Sequence, residues 1–336
     1  GPSPRTEVTR LNYFNDTGTP SPRGNLATAT RLHGAYGNQN FGYYVGGTVT
    51  ATPSYSSMTQ RVDYANDNAT ASPKGPLSKA RSAIQNAGFG TQDFGYVGGG
   101  LNDGPKIDRL DYSNDTATAL IRGNHLGGKW NRAATGNANF GYIAGGSPGT
   151  ISSIDRIDFA NDTASVSPKG SLSDGRGYMR AASPKEYGHT QFQTLLSGTY
   201  GTPNTGYFGG RNAPGGYDRI DFDNDTTTIA TRGALALGAT QNQAGTGNGS
   251  FGYISGGTPA KHTSVNRIEY LNDTVTALLK GPLNIGRRDQ AGAGNANFGY
   301  VAGGEGTGAG ASIERLDYSN DTATAVSKGP LNTGRK

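Results

Sequence analysis

Hydrophobic and polar residues alternate in short stretches along this chain, and each stretch is soon interrupted by glycine or asparagine. Residues 107–112, IDRLDY, alternate with a period of two, which is the period of a β-strand. Residues 94–99, FGYVGG, form an aromatic stretch ending in a glycine pair, which can adopt positive φ and turn the chain sharply. No segment of useful length has a helical period. The pattern therefore predicts an all-β protein of short strands and tight turns.

Two phrases repeat along the chain at similar spacing. The first ends in Asn-Asp, and its asparagine stands at positions 15, 66, 114, 161, 224, 272 and 320. The intervals between these asparagines are 51, 48, 47, 63, 48 and 48 residues. The second phrase is FGYYVGG at 41–47, FGYVGG at 94–99, FGYIAGG at 140–146, GYFGG at 206–210, FGYISGG at 251–257 and FGYVAGG at 298–304. The chain is therefore organised in repeats of about 48 residues.

We interpret each repeat as four strands. Strand 1 is a Gly/Ala-rich stretch, strand 2 is FGYxxGG, strand 3 is R-[ILV]-[DE]-[YF], and strand 4 is a Thr/Ala segment such as TATA. Asn-Asp makes the turn between strands 3 and 4, because both side chains can hydrogen-bond their own backbone. Four strands at this period predict the blades of a β-propeller rather than a solenoid of helix pairs.

A strand ending in Gly-Gly, followed by an aromatic strand, a turn and a fourth strand, resembles the kelch repeat. The resemblance covers residues 7–336 and implies a kelch-like propeller. Kelch repeats usually carry a tryptophan in strand 4, where this chain has Thr or Ala, and its single tryptophan is Trp130. The recurring Asn-Asp-Thr motif also resembles the repeats of marine bacteriophage virion and fibre proteins.

The repeats predict one domain over residues 1–336. Its parts are a half-blade at 1–27 and repeats at about 28–76, 77–124, 125–171, 172–234, 235–282 and 283–336, with a loop insertion at about 174–190. Strands 3 and 4 occur seven times, but strands 1 and 2 occur six times. We therefore favour seven blades, one of them incomplete here and completed by another segment or a partner chain, and keep six as the alternative. The odd half-blade suggests a processed or truncated piece of a longer protein.

Composition excludes several classes of function. The chain has no cysteine, so disulfides, thiolate catalysis and the cysteine-linked tyrosine of kelch-type copper oxidases are excluded. It has no apolar run long enough to cross a membrane as a helix, and no signal peptide is expected. A net charge of +5 over 336 residues is mild, so we expect no nucleic-acid partner. The four histidines recur in no motif, and we expect neither a metal site nor a cofactor.

Candidate binding residues come from the connections between strands. The 2–3 and 4–1 connections share one face of a propeller, and the 2–3 loops differ in every repeat. We expect a basic ring in the 4–1 loops, formed by Arg23, Lys74, Arg122, Lys169, Arg232, Lys280 and Lys328. The insertion adds Tyr178, Arg180, Tyr187 and His189. Such groups suit an anionic glycan or another acidic surface. The alternative is that each basic residue is a solvated loop charge.

The function predicted from these features is a non-enzymatic structural and adhesion module of a phage tail fibre or a surface appendage. It would work in a virion or at an extracellular surface, beside other virion or appendage subunits, bind host-surface glycan, and could form homo-oligomers. An intracellular kelch-type scaffold for protein–protein interaction is the alternative, although its loops would need apolar hot spots. A carbohydrate-active enzyme is less favoured, because it would need two converging carboxylates among few Glu residues.

Overall fold

The protein is described by a computed structural model, which covers residues 3–12, 17, 20–50, 54–84, 87–102, 104–125, 129–177, 180–182, 204–209, 216–226, 231–236 and 241–334. These residues form 26 β-strands and five short 3-10 helices, with no α-helix among them. Six sheets have four antiparallel strands joined in chain order, and a seventh sheet has two strands.

We call the four-stranded sheets blades 1 to 6. The two-stranded sheet comprises β1 (Thr9–Arg10) and β2 (Ser21–Pro22). Blade 1 comprises β3 (Gly34–Gly37), β4 (Phe41–Val45), β5 (Thr59–Asp63) and β6 (Ser72–Lys74). Blade 2 comprises β7 (Gly88–Gly90), β8 (Phe94–Gly98), β9 (Lys106–Asp111) and β10 (Leu120–Asn124). Blade 3 comprises β11 (Ala133–Gly136), β12 (Phe140–Ala144), β13 (Ile154–Asp158) and β14 (Ser167–Pro168).

The remaining blades follow the same order. Blade 4 comprises β15 (Arg180–Ala182), β16 (Thr205–Gly209), β17 (Gly216–Asp221) and β18 (Thr231–Ala234). Blade 5 comprises β19 (Ala244–Gly247), β20 (Phe251–Ser255), β21 (Val265–Glu269) and β22 (Leu278–Leu279). Blade 6 comprises β23 (Ala291–Gly294), β24 (Phe298–Ala302), β25 (Ile313–Asp317) and β26 (Val326–Lys328). The 3-10 helices are Tyr64–Asn66, Tyr112–Asn114, Phe159–Asn161, Tyr270–Asn272 and Tyr318–Asn320.

Glycine pairs end strand 2 as the sequence predicts. After β4 the backbone of Gly46 has a φ of 61° and that of Gly47 a φ of 99°, both in the region that favours glycine. The equivalent pairs after β8, β12, β20 and β24 also have positive φ. The glycine pair therefore releases the chain from the sheet and starts the 2–3 loop.

The connection from strand 3 to strand 4 begins with a 3-10 helix, which the sequence did not predict. In blade 2 the Asp111 carboxylate accepts a hydrogen bond from the backbone amide of Ser113 and so caps this helix. The chain then turns at Asp115, and strand 4 begins only at Leu120. The prediction that TATA (residues 116–119) forms strand 4 is therefore wrong, because the turn and its exit use those residues.

The first strands of the blades lie side by side. β3 lies beside β7, β7 beside β11, β11 beside β15, β15 beside β19, and β19 beside β23. This succession of four-stranded sheets, packed face to face with strand 1 innermost, is a β-propeller. The β1–β2 sheet contacts both ends of the series. Arg10 pairs with Asp67 of blade 1, and Asn332, after blade 6, donates to the Pro20 carbonyl.

The hydrophobic core lies between blades rather than within one of them. One buried cluster, for example, joins Tyr43 and Val45 of blade 1 to Val97, Leu110 and Tyr112 of blade 2. Further clusters join blades 2 and 3, 3 and 4, 4 and 5, and 5 and 6. A smaller cluster of Leu26, Val62 and Ala71 joins the β1–β2 region to blade 1. Each blade thus depends on its neighbours for burial.

The all-β propeller with four-stranded blades is confirmed. The described residues form six complete blades, the number kept as the alternative, together with a two-stranded sheet where the incomplete seventh blade was expected. The division of residues 1–336 into repeats stays a prediction. In the part of the chain that the structure describes, no helix has the length and apolar character needed to cross a membrane.

Candidate functional site

Each boundary between neighbouring blades, which we call a seam, is anchored on the aspartate of the repeated Asn-Asp turn. In the seam between blades 1 and 2, Asp115 of blade 2 accepts hydrogen bonds from Tyr43 and Arg61 of blade 1, at 2.9 and 2.7 Å. The Lys74 ammonium lies 3.1 Å from the other Asp115 oxygen. Donors from strands 2, 3 and 4 of one blade therefore converge on a single carboxylate of the next blade.

The same arrangement recurs in four further seams. The accepting residues are Asp162, Asp225, Asp273 and Asp321. The donating tyrosines are Tyr96, Tyr142, Tyr207 and Tyr253. The strand 3 arginines are Arg109, Arg156, Arg219 and Arg267. The basic residues from the strand 4 region are Arg122, Lys169, Arg232 and Lys280. These five seams form a polar ladder between blades, and its bonds are charge-assisted.

Aromatic rings complete each seam. The Arg61 guanidinium lies 4.2 Å from the ring centroid of Phe41 in its own blade, a cation–π contact that four other blades repeat. The Tyr43 ring stacks on Tyr112 of blade 2, with centroids 4.9 Å apart. The Phe-Gly-Tyr phrase thus has two roles: its phenylalanine orients the arginine, and its tyrosine reaches the next blade.

The glycine that follows the basic residue also belongs to the seam. The Gly75 amide donates to the Asp115 carbonyl at 2.8 Å. A Cβ atom at Gly75 would lie 1.7 Å from the Ala117 carbonyl oxygen, so only glycine allows this approach. Gly24, Gly233 and Gly281 lie equally close to the following blade. The basic-Gly phrase is therefore a clamp on the neighbouring Asn-Asp turn.

Six members of the predicted basic ring pair with the turn aspartate of the following blade: Arg23, Lys74, Arg122, Lys169, Arg232 and Lys280. Lys74, Arg122, Arg232 and Lys328 belong to fourth strands, whereas Arg23, Lys169 and Lys280 directly follow strands. The side chains of Lys74, Lys169 and Lys280 are only 13%, 11% and 12% exposed. The assignment to the 4–1 loops is corrected for the four members that lie in strand 4, whereas the other three stand where a 4–1 connection begins. A ligand-binding role for the ring stays a prediction.

The predicted insertion is only partly described. Tyr178, Tyr187 and His189 lie outside the described residues. The backbone of Arg180 begins β15, where it lies opposite Gly209. Residues 180–182 are therefore strand 1 of blade 4, which corrects their assignment to a loop insertion at 174–190.

The seams shift the ionisation of their members. Burial alone would raise the pKa of Asp321, but hydrogen bonds from Tyr253 and Lys280 and the charge of Arg267 hold it below its usual range. Burial and the hydrogen bond to Asp115 raise the pKa of Tyr43. Burial and the Asp273 charge raise the pKa of Tyr217 to about 12. At neutral pH these tyrosines are therefore protonated donors.

A second set of carboxylates is fully buried and paired with arginine inside single blades. Arg132 lies 2.9 Å from Asp155, and Arg176 lies 3.2 Å from Asp218, with side chains no more than 1% exposed. Arg81 pairs with Asp108 in the same way, and Arg287 with Glu314. Arg81 also donates to the carbonyls of Gly99 and Lys106, which flank a 2–3 loop. These pairs brace the base of the loops.

Sequence reasoning missed these pairs, although the chain carries a signal for them. The residue before the strand 3 arginine is Asp or Glu in four blades but Gln60 in blade 1 and Asn266 in blade 5. There the amides bond backbone instead: Gln60 bonds Thr28, and Asn266 accepts from Ala236. In blades 1 and 5 an amide therefore stands in place of the acid, and its hydrogen bonds go to backbone groups instead of to an arginine.

Two of the four histidines lie in buried or partly buried surroundings. His125 is buried, at 2% exposed. The His33 ring makes an edge contact with Tyr44, with centroids 5.4 Å apart, and burial lowers the pKa of His33 to about 4. No group of three or more His, Asp or Glu among the described residues is arranged to hold a metal ion.

The 2–3 and 4–1 connections do meet on one face, which we call the loop face. Isolated β-bridges join Arg31 to Thr48 and Ser56 to Arg81, so one 2–3 loop is tied to the 4–1 connections on both sides. Bridges between Ser82 and Leu101, Trp130 and Ser147, and Arg288 and Glu305 repeat this pattern. The loop face is therefore a platform held together by backbone hydrogen bonds.

Three lysines stand at backbone positions that adjoin the 2–3 loop of blade 2. Gly99 and Gly100 donate their amides to the carbonyls of Lys106 and Lys129, so these two lysines flank one glycine pair. Lys79 is exposed on the neighbouring 4–1 connection. None of the three forms an ion pair with a described residue. We call Lys79, Lys106, Lys129 and the adjacent half-buried Trp130 the lysine patch.

Comparison with known proteins identifies the fold alone. No family model matches the chain, and no curated protein matches it either. Among solved structures, the chain is similar to one titled "Structure of YjhT", with a TM-score of 0.60 and 10% sequence identity. The match covers 90% of this chain and 99% of that chain. At this identity the likeness shows that both chains have a β-propeller fold.

Proposed function

We propose that this propeller is a non-enzymatic structural and adhesion module of a phage tail fibre or a surface appendage. It binds an anionic glycan, or another acidic surface, through the loop face. The observation that carries the proposal is the lysine patch, whose three ammonium groups lack ion-pair partners among the described residues while the seam cations are engaged.

The construction of the loop face supports binding. Variable loops on a rigid scaffold are common places for recognition, and here the loops are tied to each other by backbone bridges. A preformed surface loses little conformational entropy when a ligand binds. Cationic groups attract acidic ligands, and the amphipathic ring of Trp130 offers an apolar surface beside them.

The carboxylates support a non-catalytic role. A glycoside hydrolase needs two carboxyl groups facing one sugar. The aspartates of the repeated turns instead accept seam hydrogen bonds, and four acidic residues of strand 3 are buried against arginine. Each of these positions recurs from blade to blade, as a structural element does.

The test is binding to an array of neutral, sialylated and sulfated glycans. We expect anionic glycans to bind, and the K79Q/K106Q/K129Q variant to lose at least tenfold in affinity without loss of thermal stability. The matched control removes three seam cations in K74Q/K169Q/K280Q, which we expect to lower thermal stability while affinity is retained. Equal binding by the first variant and the wild type, or the absence of any anionic ligand, would overturn the proposal.

The location of the protein in a particle or on a cell needs a separate measurement. Gold-labelled antibodies against the propeller should decorate fibres or appendages in electron micrographs of intact particles or cells. Label confined to the interior of the producing cell would favour the intracellular scaffold instead.

A further inference from the structure

The face of blade 1 that receives the β1–β2 sheet differs from every corresponding face in the described chain. Elsewhere the first aromatic residue of the 3-10 helix is covered by the tyrosine of the preceding blade. Tyr112, Tyr270 and Tyr318 are therefore 8%, 5% and 8% exposed. The equivalent residue of blade 1, Tyr64, is 50% exposed.

The aspartate beside Tyr64 shows the same difference. Asp67 pairs with Arg10 and Arg23, the counterparts of the strand 3 and strand 4 donors in other seams. No tyrosine among the described residues donates to Asp67, whereas Asp115 and its four equivalents each accept one. The β1–β2 sheet supplies only the last two strands of a blade, and the missing tyrosine belongs to strand 2.

Two strands, β1 and β23, differ from their counterparts in the other blades. In complete blades strand 3 is paired on both edges, whereas β1 is paired with β2 and with no other described strand. All four residues of β23, the first strand of blade 6, are exposed. Through the Arg10–Asp67 pair, the β1 strand and the Asp67 carboxylate belong to one junction, as their counterparts do in the established seams.

We propose that this surface, which we call the Tyr64 face, docks an extended segment of another polypeptide that carries the Phe-Gly-Tyr phrase. The segment adds to the sheet beside β1, in the manner of β-strand addition. Its tyrosine stacks on Tyr64 and donates its hydroxyl to Asp67, as Tyr43 does to Tyr112 and Asp115. The docked segment thus forms one more seam, with the same contacts as the seams between complete blades.

The residues around the face suit reversible docking. The fourth residue of strand 2 is Val97, Ile143, Ile254 or Val301 in four other blades, but Tyr44 in blade 1. Tyr44 contacts His33, so a side chain with a polar tip stands here where four other blades have an aliphatic one. Side chains of this kind tolerate both water and a covering partner.

The probe is a labelled peptide with the sequence of residues 131–147 of this chain, which spans β11 and β12, measured by fluorescence anisotropy with the whole protein. We expect saturable binding and about a tenfold loss with a peptide carrying Tyr142→Phe, because a hydrogen bond to a charged group is removed. Tyr64→Ala and Asp67→Asn in the protein should each weaken binding about tenfold as well. Leu271→Ala, at an exposed site of blade 5, should leave it unchanged.

Circular dichroism melts of each variant confirm that the fold is kept. No saturable binding up to about 1 mM, or equal binding by the Tyr64→Ala and Asp67→Asn proteins, overturns the proposal. Self-association that Tyr64→Ala abolishes would make a second copy the occupant, which overturns the assignment to a separate segment. The lysine patch and the Tyr64 face share no residue, and each has its own variants, so glycan binding and peptide binding can fail independently.

Discussion

Across the seam between blades 1 and 2, the Tyr43 hydroxyl donates to the Asp115 carboxylate at 2.9 Å. The bond joins residues that are 72 positions apart in the chain, and its counterparts recur at every seam between complete blades. A carboxylate that serves three donors from one neighbour is a sensitive point, because its loss leaves all three groups without their acceptor.

Replacing Asp115 by alanine should therefore destabilise the protein by about 3 kcal/mol, since Tyr43, Arg61 and Lys74 would be left partly buried and unpaired. Differential scanning calorimetry of the wild type and the variant measures the loss. Asp111→Ala is the control, because Asp111 only caps an exposed 3-10 helix and should cost about 1 kcal/mol. Equal losses in the two variants would contradict the seam assignment.

Alanine at Gly75 should cost more than 2 kcal/mol, roughly the level of an overpacked core site, because its Cβ would overlap the Ala117 carbonyl and force the seam apart. Gly245→Ala is the matched control, since a Cβ there meets no atom within 4 Å. Urea unfolding midpoints of both variants give the comparison. If the Gly75 variant were as stable as the Gly245 variant, the close approach of Gly75 to the Ala117 carbonyl would not matter for stability.

The buried Arg132–Asp155 pair should behave as a coupled unit. Arg132→Met alone leaves a buried carboxylate without its arginine and should cost about 3–5 kcal/mol. Adding Asp155→Leu should recover most of that loss, because apolar side chains of similar size avoid the desolvation of two charges. Unfolding free energies of both single variants and the double variant form the required cycle. Additive losses would mean that the pair is not coupled.

Acid should lower the free energy of unfolding partly through protonation of His33. Its pKa falls from 6.5 to about 4 on folding, so the unfolded state binds more protons between those values. The contribution is complete above pH 6.5 and is lost as the pH falls towards 4, at a cost of about 2 kcal/mol for this partly exposed ring. Thermal melts of the wild type and His33→Gln from pH 7 to 4 should therefore converge. Parallel curves would rule out His33 as the source.

Periodic features of the fold were predictable from the sequence. The Phe-Gly-Tyr phrase with its glycine pair locates strand 2, and the alternating phrase locates strand 3, because each has a strong local preference. The position of strand 4 was not predictable in this way. Its residues, such as Leu278 and Leu279, are few and exposed, and the 3-10 helix and turn after strand 3 move the strand along the chain.

The candidate site was harder to predict, because a long side chain does not reveal its direction. Lys74 ends a strand and precedes Gly-Pro, which is typical of a loop charge, yet its ammonium reaches a carboxylate 41 residues later. The lysine patch has no repeat, so periodicity could not mark it. Two of its members, Lys106 and Lys129, become neighbours because the Gly99 and Gly100 amides bond their carbonyls.

The clamp formed by Gly75 and Asp115 has a consequence for how such a chain can change its length. Each complete repeat carries both the donor set for its successor and the acceptor for its predecessor, so duplication of one repeat would add a unit that fits at either junction. The ring size could then change while every junction keeps its chemistry, with the curvature of the ring as the main limit on the number of repeats.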